Sequence, residues 1–259
     1  GHLEEDSAWN GVLADQNSDA GTTIHFTKVG GGSLTLGTGA TPSTNLYKGV
    51  TTVKNGTLVV NGTHATGSSY LIEKGGTLGG TGIITTTSIT FSDSVGAGTN
   101  STLSPGASIG TLTLNAATNV VLNPASKLVM DLDGGDTSIG GTTNDLVVIG
   151  GIGGNLTLDG TLDVNAVASF ASATAGDTWR LMTYTGTLTD NGLVLGSIPT
   201  LASGLFFALD TLTSGQVNLT INAIPEANAF LFGGVACCVV GLACVGRKLQ
   251  SRNVSSQRA

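Results

Sequence analysis

The 259-residue chain is poor in charged and aromatic side chains. Asp, Glu, Lys and Arg make up 10% of the residues and aromatics 5%, whereas average globular proteins carry about 25% charged residues. Only ten residues are Lys or Arg, the net charge is −7 and the pI is about 4.7. Nucleic-acid binding needs clustered cations to neutralise phosphates. The composition therefore excludes a nucleic-acid partner.

Cysteine is absent from the first 236 residues. The three cysteines, Cys237, Cys238 and Cys244, all lie in one apolar stretch near the end of the chain. No disulfide framework can form in the preceding residues. Lipidation and metal binding are possible roles for these thiols, but their setting favours small apolar residues of a membrane helix.

Glycine and short apolar runs are abundant instead. The chain has 40 Gly, is 40% hydrophobic and has a mean hydropathy of +0.27, so it is not disordered by composition. Thr, Val, Leu and Ile alternate in short runs broken by Gly and Asn, the pattern of many short strands joined by tight turns. We predict an all-β fold with almost no helix before residue 227.

A Gly-Thr-Leu triplet recurs along the chain, beginning at Gly56, Gly76, Gly110, Gly160 and Gly186. Glycine permits a corner with positive φ, threonine then faces outward, and leucine points inward to stack on the next coil. We predict inward side chains at Leu58, Leu78, Leu112 and Leu162. One coil cannot bury its own leucine, so the pattern favours a solenoid. A sandwich of β-hairpins is the structural alternative.

Three segments carry a family resemblance. Residues 48–62 hold a strand motif, residues 75–82 read Gly-Gly-Thr-Leu-Gly-Gly-Thr-Gly, and residues 103–114 contain Ser-Pro-Gly-Ala-Ser-Ile-Gly-Thr-Leu. In this order they resemble the autotransporter-associated β-strand repeat family. The resemblance implies a right-handed parallel β-helix, as in secreted passenger domains. We assign residues 1–223 to this β-solenoid.

The segment 224–259 has a different character. Residues 227–246 carry no charge, and as a helix they would span about 30 Å, the thickness of one hydrocarbon core. We predict a single C-terminal transmembrane helix over 227–246 with a basic tail over 247–259. Arg247, Lys248 and Arg252 follow the apolar stretch at once, which predicts a cytoplasmic tail and an external solenoid.

The end of the chain also resembles the PEP-CTERM sorting signal. Pro225 and Glu226 match its tripeptide, with Ala227 in the third position, and the apolar helix and basic end follow. The resemblance implies an exosortase-type sorting enzyme as partner, an inner-membrane precursor and release to the cell surface. A permanent membrane anchor is the alternative.

The densest acidic cluster is Asp131, Asp133, Asp136 and Asp145. Period two puts Asp131 and Asp133 on one face of a strand. With Asp136 they form a weak candidate Ca²⁺ site, since Ca²⁺ favours several oxygen ligands. Their spacing matches no calcium-loop template, which favours a solvated loop. A polysaccharide lyase or hydrolase on a β-helix would need these carboxylates to converge with a base or cation.

No other residues suggest catalysis or a cofactor. The histidines are scattered and no nucleophile has a suitable partner in sequence. Trp179, beside Asp177 and Arg180, is either a sugar-stacking residue or an ordinary strand residue. We therefore expect a non-enzymatic, structural or adhesive protein of the cell surface or extracellular matrix. Extracellular polysaccharide or other surface proteins are its expected partners.

Overall fold

The computed structural model describes residues 4–15, 23–37, 43–65, 67 and 69–225. Within these residues the chain is all-β, with one 3₁₀ turn at Phe170–Ser172. The first eleven strands, in chain order, are β1 (Ser7–Trp9), β2 (Phe26–Lys28), β3 (Ser33–Leu36), β4 (Thr44–Asn45), β5 (Thr51–Val53), β6 (Gly56–Val60), β7 (Thr63–His64), β8 (Ser69–Lys74), β9 (Gly76–Gly80), β10 (Ile83–Thr86) and β11 (Ser88–Gly96). The remaining strands are β12 (Ser101–Pro105), β13 (Thr111–Ala116), β14 (Asn119–Leu122), β15 (Ser126–Asp133), β16 (Leu146–Gly150), β17 (Asn155–Leu158), β18 (Thr161–Ala168), β19 (Thr178–Tyr184), β20 (Leu188–Asp190), β21 (Val194–Leu195), β22 (Leu205–Asp210) and β23 (Gln216–Ala223).

Successive strands join three different sheets in rotation. Sheet A has the order β1-β3-β6-β9-β12-β15-β18-β21, sheet B β4-β7-β10-β13-β16-β19-β23-β22, and sheet C β2-β5-β8-β11-β14-β17-β20. From β2 to β21 each coil gives one strand to C, then A, then B. The described strands of sheets A and C pair only in parallel.

This arrangement fits a parallel β-helix. The predicted all-β class is confirmed for the described residues. The hairpin sandwich is wrong, because each strand from β2 to β18 pairs with the strand three positions later and not with the next strand in sequence. Turns such as Asn55-Gly56 therefore form corners between sheets, where the chain changes direction without folding back on itself.

A column of stacked leucines runs along the inside of sheet A. The register aligns Leu34, Leu58, Leu78, Leu103, Leu128, Leu162 and Leu195. The middle five are fully buried. Successive members lie between 20 and 34 residues apart, so coils differ in length while the column stays in register. Each leucine removes its neighbour from water, and stability is shared between coils.

The four leucines predicted to point inward are all fully buried, which confirms them. The triplet is nevertheless not one repeat. Leu112 lies in sheet B, where it aligns with Val147, and Leu188 of the last triplet aligns with Leu156 in sheet C. The same three letters therefore occur at the start of strands in all three sheets.

The predicted role of the triplet glycine is correct at some corners only. Gly56 and Gly160 have φ of 66° and 89°, but the glycines at 76, 110 and 186 do not have positive φ. At Gly76 a Cβ atom would lie 2.4 Å from the Val53 carbonyl oxygen. Close approach of the backbone, and not a left-handed conformation, excludes a side chain there.

One polar cluster lies inside the coil. His64 is buried and stacks on Tyr47, with ring centroids 4.1 Å apart. Its Nε2 donates to the Tyr47 carbonyl (2.9 Å), because a carbonyl can only accept. Nδ1 then accepts from the Tyr70 hydroxyl (2.5 Å). Burial lowers the pKa of His64, so this histidine is a neutral core residue and not an exposed acid or base.

The last strands depart from the parallel pattern. β23 pairs antiparallel with β19, with Trp179 opposite Leu219. Phe170 packs against Trp179 and Phe207, with ring centroids 5.1 and 5.5 Å apart. Aromatic packing and a reversed strand therefore end the parallel stacking in sheet B.

The chain divides into two compact units, residues 1–222 and 223–259. Of the second unit, only residues 223–225 are described. The predicted transmembrane helix over 227–246 lies outside the described residues. The part of the chain that the structure describes contains no helix with the length and apolar character needed to cross a bilayer.

Candidate functional site

The three carboxylates proposed from sequence for Ca²⁺ have separate local partners. Asp131 and Asp133 occupy outward positions of β15, as period two predicts. Asp131 Oδ1 accepts from Asn165 Nδ2 (2.8 Å), while Asp133 Oδ1 accepts from Gly135 N (2.7 Å). Asp136 Oδ1 accepts from Ser138 N (2.8 Å), and hydrogen bonds from the Ser138 side chain and backbone lower the pKa of Asp136.

The fourth acidic residue of the cluster has a structural role. Asp145 is buried, and its two oxygens accept from Gly110 N (2.7 Å) and Asp131 N (2.8 Å). Burial raises the pKa of Asp145 to about 7, although these two hydrogen bonds act in the opposite direction. The neighbouring Asn144 accepts from Asp133 N and donates to the Asp136 and Ser138 carbonyls. Through these hydrogen bonds, Asn144 and Asp145 hold the long loop between β15 and β16 in place.

The carboxylates do not converge with a cation. Lys127 Nζ pairs with Asp163 Oδ2 at 2.6 Å, and Arg180 Nε donates to Asn218 Oδ1 at 2.8 Å. Within the described residues, no group of three His, Cys, Asp or Glu side chains could hold a metal ion. These carboxylates therefore form no acid, base and cation set around one cavity.

Trp179 is a core residue. It is 1% exposed, and its Nε1 donates to the carbonyl oxygens of Asp133 (2.8 Å) and Asp136 (3.1 Å). The sugar-stacking alternative is wrong for this residue because no face of the indole is accessible. Trp179 instead fixes the start of the β15–β16 loop.

A groove crosses the outer face of sheet A. Its volume is about 340 Å³, and its lining comes from consecutive coils. Ser33, Thr57 and Thr77 are neighbours in register on β3, β6 and β9, and all three side chains face outward because the leucines that follow them face inward. The groove therefore presents a row of three hydroxyls along the coil axis, one from each of β3, β6 and β9.

Glycine shapes the floor of this groove. At Gly79 on β9, a Cβ atom would lie 2.5 Å from the Ser104 carbonyl oxygen. The chain then bulges at Gly106, which bridges Gly80 through hydrogen bonds of 2.9 and 3.2 Å in both directions. The bulge carries residues 105–108 along the groove as a wall. The absence of a side chain at Gly79 and the bulge at Gly106 thus create the groove.

Asp131 and Asn165 line the same groove. They are neighbours in register on β15 and β18, and their hydrogen bond uses one carboxylate oxygen and one amide hydrogen. The second oxygen of Asp131 and the amide oxygen of Asn165 have no hydrogen-bond partner among the described residues. This pair leaves free acceptors at the surface.

The sequence indicated the row of threonines but not the groove. The outward threonine of the triplet was predicted, and Thr57 and Thr77 confirm it. The contribution of Asn165 and the wall at 105–108 was missed, because both depend on pairing between coils. A glycine in an outward strand position, as at Gly79, is the signal that could have indicated a depression.

The sorting residues lie at or beyond the end of the described chain. Pro225 is exposed after β23. Glu226, Arg247, Lys248 and Arg252 are outside the described residues, so the geometry of the tail does not enter the description of the site.

One comparison with known proteins gives a relative. The chain is 44% identical over 123 residues to the adhesin BmaC autotransporter of Brucella suis biovar 1 (strain 1330). The matched stretch is 47% of this chain but spans only 3% of that adhesin. No family model matches the chain. The parallel β-sheet fold and this partial similarity fit a passenger-type protein.

Proposed function

We propose that this protein is a surface-exposed, adhesive β-helical protein without enzymatic activity. The observation that carries the proposal is the 44% identity to an autotransporter adhesin, on a chain whose described part is wound from parallel sheets. An outer surface of strand hydroxyls and amides suits contact with extracellular polysaccharide or other surface proteins.

Two groups of described residues, the acidic cluster and the buried histidine, support a non-enzymatic role. Carboxylates of the acidic cluster accept hydrogen bonds from backbone donors and from Asn165, and the buried histidine hydrogen-bonds to the Tyr70 hydroxyl and the Tyr47 carbonyl. A polysaccharide lyase or hydrolase is not favoured by this geometry, because its carboxylates would have to face a shared substrate position.

Adherence of the producing bacterium tests the proposal. Deleting the gene should reduce attachment to matrix-coated surfaces about tenfold, and expression of the full chain should restore it. Antibody labelling of intact cells should detect the solenoid before permeabilisation. Normal attachment of the deletion strain, or labelling only after permeabilisation, would contradict a surface adhesive role.

We further propose that the C-terminal segment sorts the protein. Residues 227–246 and the cations at 247, 248 and 252 hold a precursor in the inner membrane with a cytoplasmic tail. An exosortase-type enzyme processes it near Pro225 and Glu226. The support for this proposal is the sequence pattern alone.

Processing is measurable at the end of the chain. Replacing Pro225 and Glu226 by Ala should leave a full-length precursor in the membrane fraction of a host that has the sorting enzyme. Deleting residues 224–259 should release the protein from that fraction. Mass spectrometry that finds Ala259 on the mature surface protein would reject sorting in favour of a permanent anchor.

A further inference from the structure

The groove on the outer face of sheet A is lined by uncharged polar and small apolar residues, with one exception. Its hydroxyls come from Ser33, Thr57, Thr77, Ser104 and Ser108, and Asp131 is the single ionisable residue among the described residues that line it. The nearest cation in register, Lys127, is engaged with Asp163. A polyanion would therefore find no free positive charge among the described lining residues, and a polycation would find one carboxylate.

The spacing of the hydroxyls repeats along the groove. Thr57 pairs with Ser33 on one side and Thr77 on the other, and neighbouring strands of a sheet are about 4.8 Å apart. A ligand with hydroxyls at regular intervals of this order can contact several coils at once. Polymers of pyranose sugars have this character, whereas a peptide would need donors and acceptors from a sheet edge.

Apolar groups and hydrogen-bond acceptors in the groove also suit a sugar ligand. Val59 and Pro105 give the groove small apolar surfaces, suited to the C–H faces of a sugar ring. At the other end, the free Asp131 oxygen and the Asn165 amide oxygen can accept from neighbouring sugar hydroxyls, and a carboxylate acceptor makes the stronger hydrogen bond of the two.

We propose that this groove binds a neutral polysaccharide chain lying across the outer face of sheet A, with Thr57 and Thr77 contacting successive sugar units and Asp131 at one end. The inference rests on the proposed adhesive function and names its ligand class. The groove is shallow and open, so single-site binding is weak. Affinity increases with the number of sugar units until the groove is filled.

Binding of the full chain, purified in detergent, to labelled neutral oligosaccharides of increasing length tests this proposal. Gluco-, manno- and xylo-oligosaccharides are the probes, with oligogalacturonate and heparin as anionic comparisons. We expect binding to at least one neutral series, increasing with length, and weaker binding to the anionic probes. Tighter binding to an anionic probe, or no binding to any neutral series at millimolar concentrations, would overturn the proposal.

Substitutions that preserve side-chain shape test whether the groove is the binding site. The double substitution Thr57→Val and Thr77→Val removes two hydroxyls without changing side-chain volume and should weaken binding about tenfold. Asp131→Asn should weaken it by a similar factor. The matched control is Thr90→Val with Thr157→Val, which makes the same change on the outer face of sheet C. Equal losses in both double variants would overturn the location.

The glycan-binding test can fail independently of the test of the adhesive function. The ligand assignment fails if the double variant at Thr57 and Thr77 adheres like the parent chain and the purified protein does not bind neutral glycans. The proposed adhesive function is unaffected by that result. If the gene deletion itself leaves attachment unchanged, the proposed function fails whatever the groove binds.

Discussion

Individual buried leucines hold the coils in register, and one substitution should reveal this. Leu78 is fully buried between Leu58 and Leu103. Leu78→Asp would bury an unpaired charge and should lower the free energy of unfolding by about 4 kcal/mol. Thr77→Asp, one residue earlier and facing outward, is the matched control and should cost less than about 1 kcal/mol. Urea denaturation measures both, and equal losses would mean that the inward assignment is wrong.

The buried Asp145 should give the protein a distinctive pH dependence. Its folded pKa is raised to about 7 from an ordinary value of 3.8, so between these values the folded state keeps a proton that the unfolded state releases. The contribution of this group to stability is therefore complete below about pH 4 and is lost as the pH rises through about 7. Asp145→Asn should remove this decline.

The same variant should also be less stable overall. Asparagine has one acceptor oxygen for the two backbone donors Gly110 N and Asp131 N, and an unpaired buried N–H costs about 1–3 kcal/mol. Urea unfolding at about pH 4, 5.5 and 8 separates the two effects. An unchanged pH slope in Asp145→Asn would contradict the assignment.

Asp163→Asn is the control for this pH experiment. Burial tends to raise the pKa of Asp163, but hydrogen bonds from Lys127 and Ser197 N outweigh it, and the pKa is lowered. Its stabilising contribution is present above the ordinary value of 3.8 and is lost as the pH falls below it. Asp163→Asn should therefore change the slope only at the acid end.

The sequence alone predicted the roles of some of these residues but not of others. The inward leucines follow from alternation within one strand, which local chemistry determines. The role of Asp145 could not be predicted, because its two donors lie 35 and 14 residues away in sequence. Trp179 is similar: its sequence neighbours suggest a surface site, while its indole N–H donates to carbonyl groups more than 40 residues earlier.

The corners between strands depend on glycine for two physical reasons, and a pair of substitutions tells them apart. Gly56 has φ of 66°, and a Cβ atom there would lie 2.4 Å from the carbonyl oxygens of Gly30 and Gly32. Gly141 has φ of 79° but nothing within 4 Å of a Cβ atom. Gly141→Ala should cost about 1 kcal/mol from backbone strain alone. Gly56→Ala should cost several times more, because the preceding coil must move.

Thermal denaturation of the two variants gives the comparison. Equal melting temperatures would show that coils are not in contact at this corner. The sequence predicted positive φ at Gly56 but could not distinguish it from Gly76, where the limit is the Val53 carbonyl. A Gly-Thr-Leu triplet indicates that a corner precedes a strand. Which other strand it pairs with depends on the length of the coil.

The described coils form a stack, and removal of one coil should therefore be tolerated. β6 and β9 are equivalent in register, with Gly56 aligned to Gly76 and Leu58 to Leu78. Deleting residues 56–75 joins Asn55 to Gly76 and puts β9 in the position of β6. We expect a folded β protein with a smaller denaturant m-value and a lower free energy of unfolding, since stability is a sum over coils.

A deletion of half a coil is the matched control. Removing residues 56–65 takes away β6 and β7 but would place β8 against sheet A, out of register with the leucine column. This variant should lose cooperative unfolding. If the two deletions were equally damaging, the stacked-coil architecture would be contradicted.

We propose that the coiled part of the chain is itself the adhesive element at the cell surface. Display of the full chain on a non-adherent bacterial strain, through a heterologous surface carrier, tests it most directly, with attachment to matrix-coated wells as the measurement. We expect about a tenfold gain in attached cells for the parent chain and no gain for Leu78→Asp displayed at the same level. No gain with the parent chain, or an equal gain with Leu78→Asp, would contradict it.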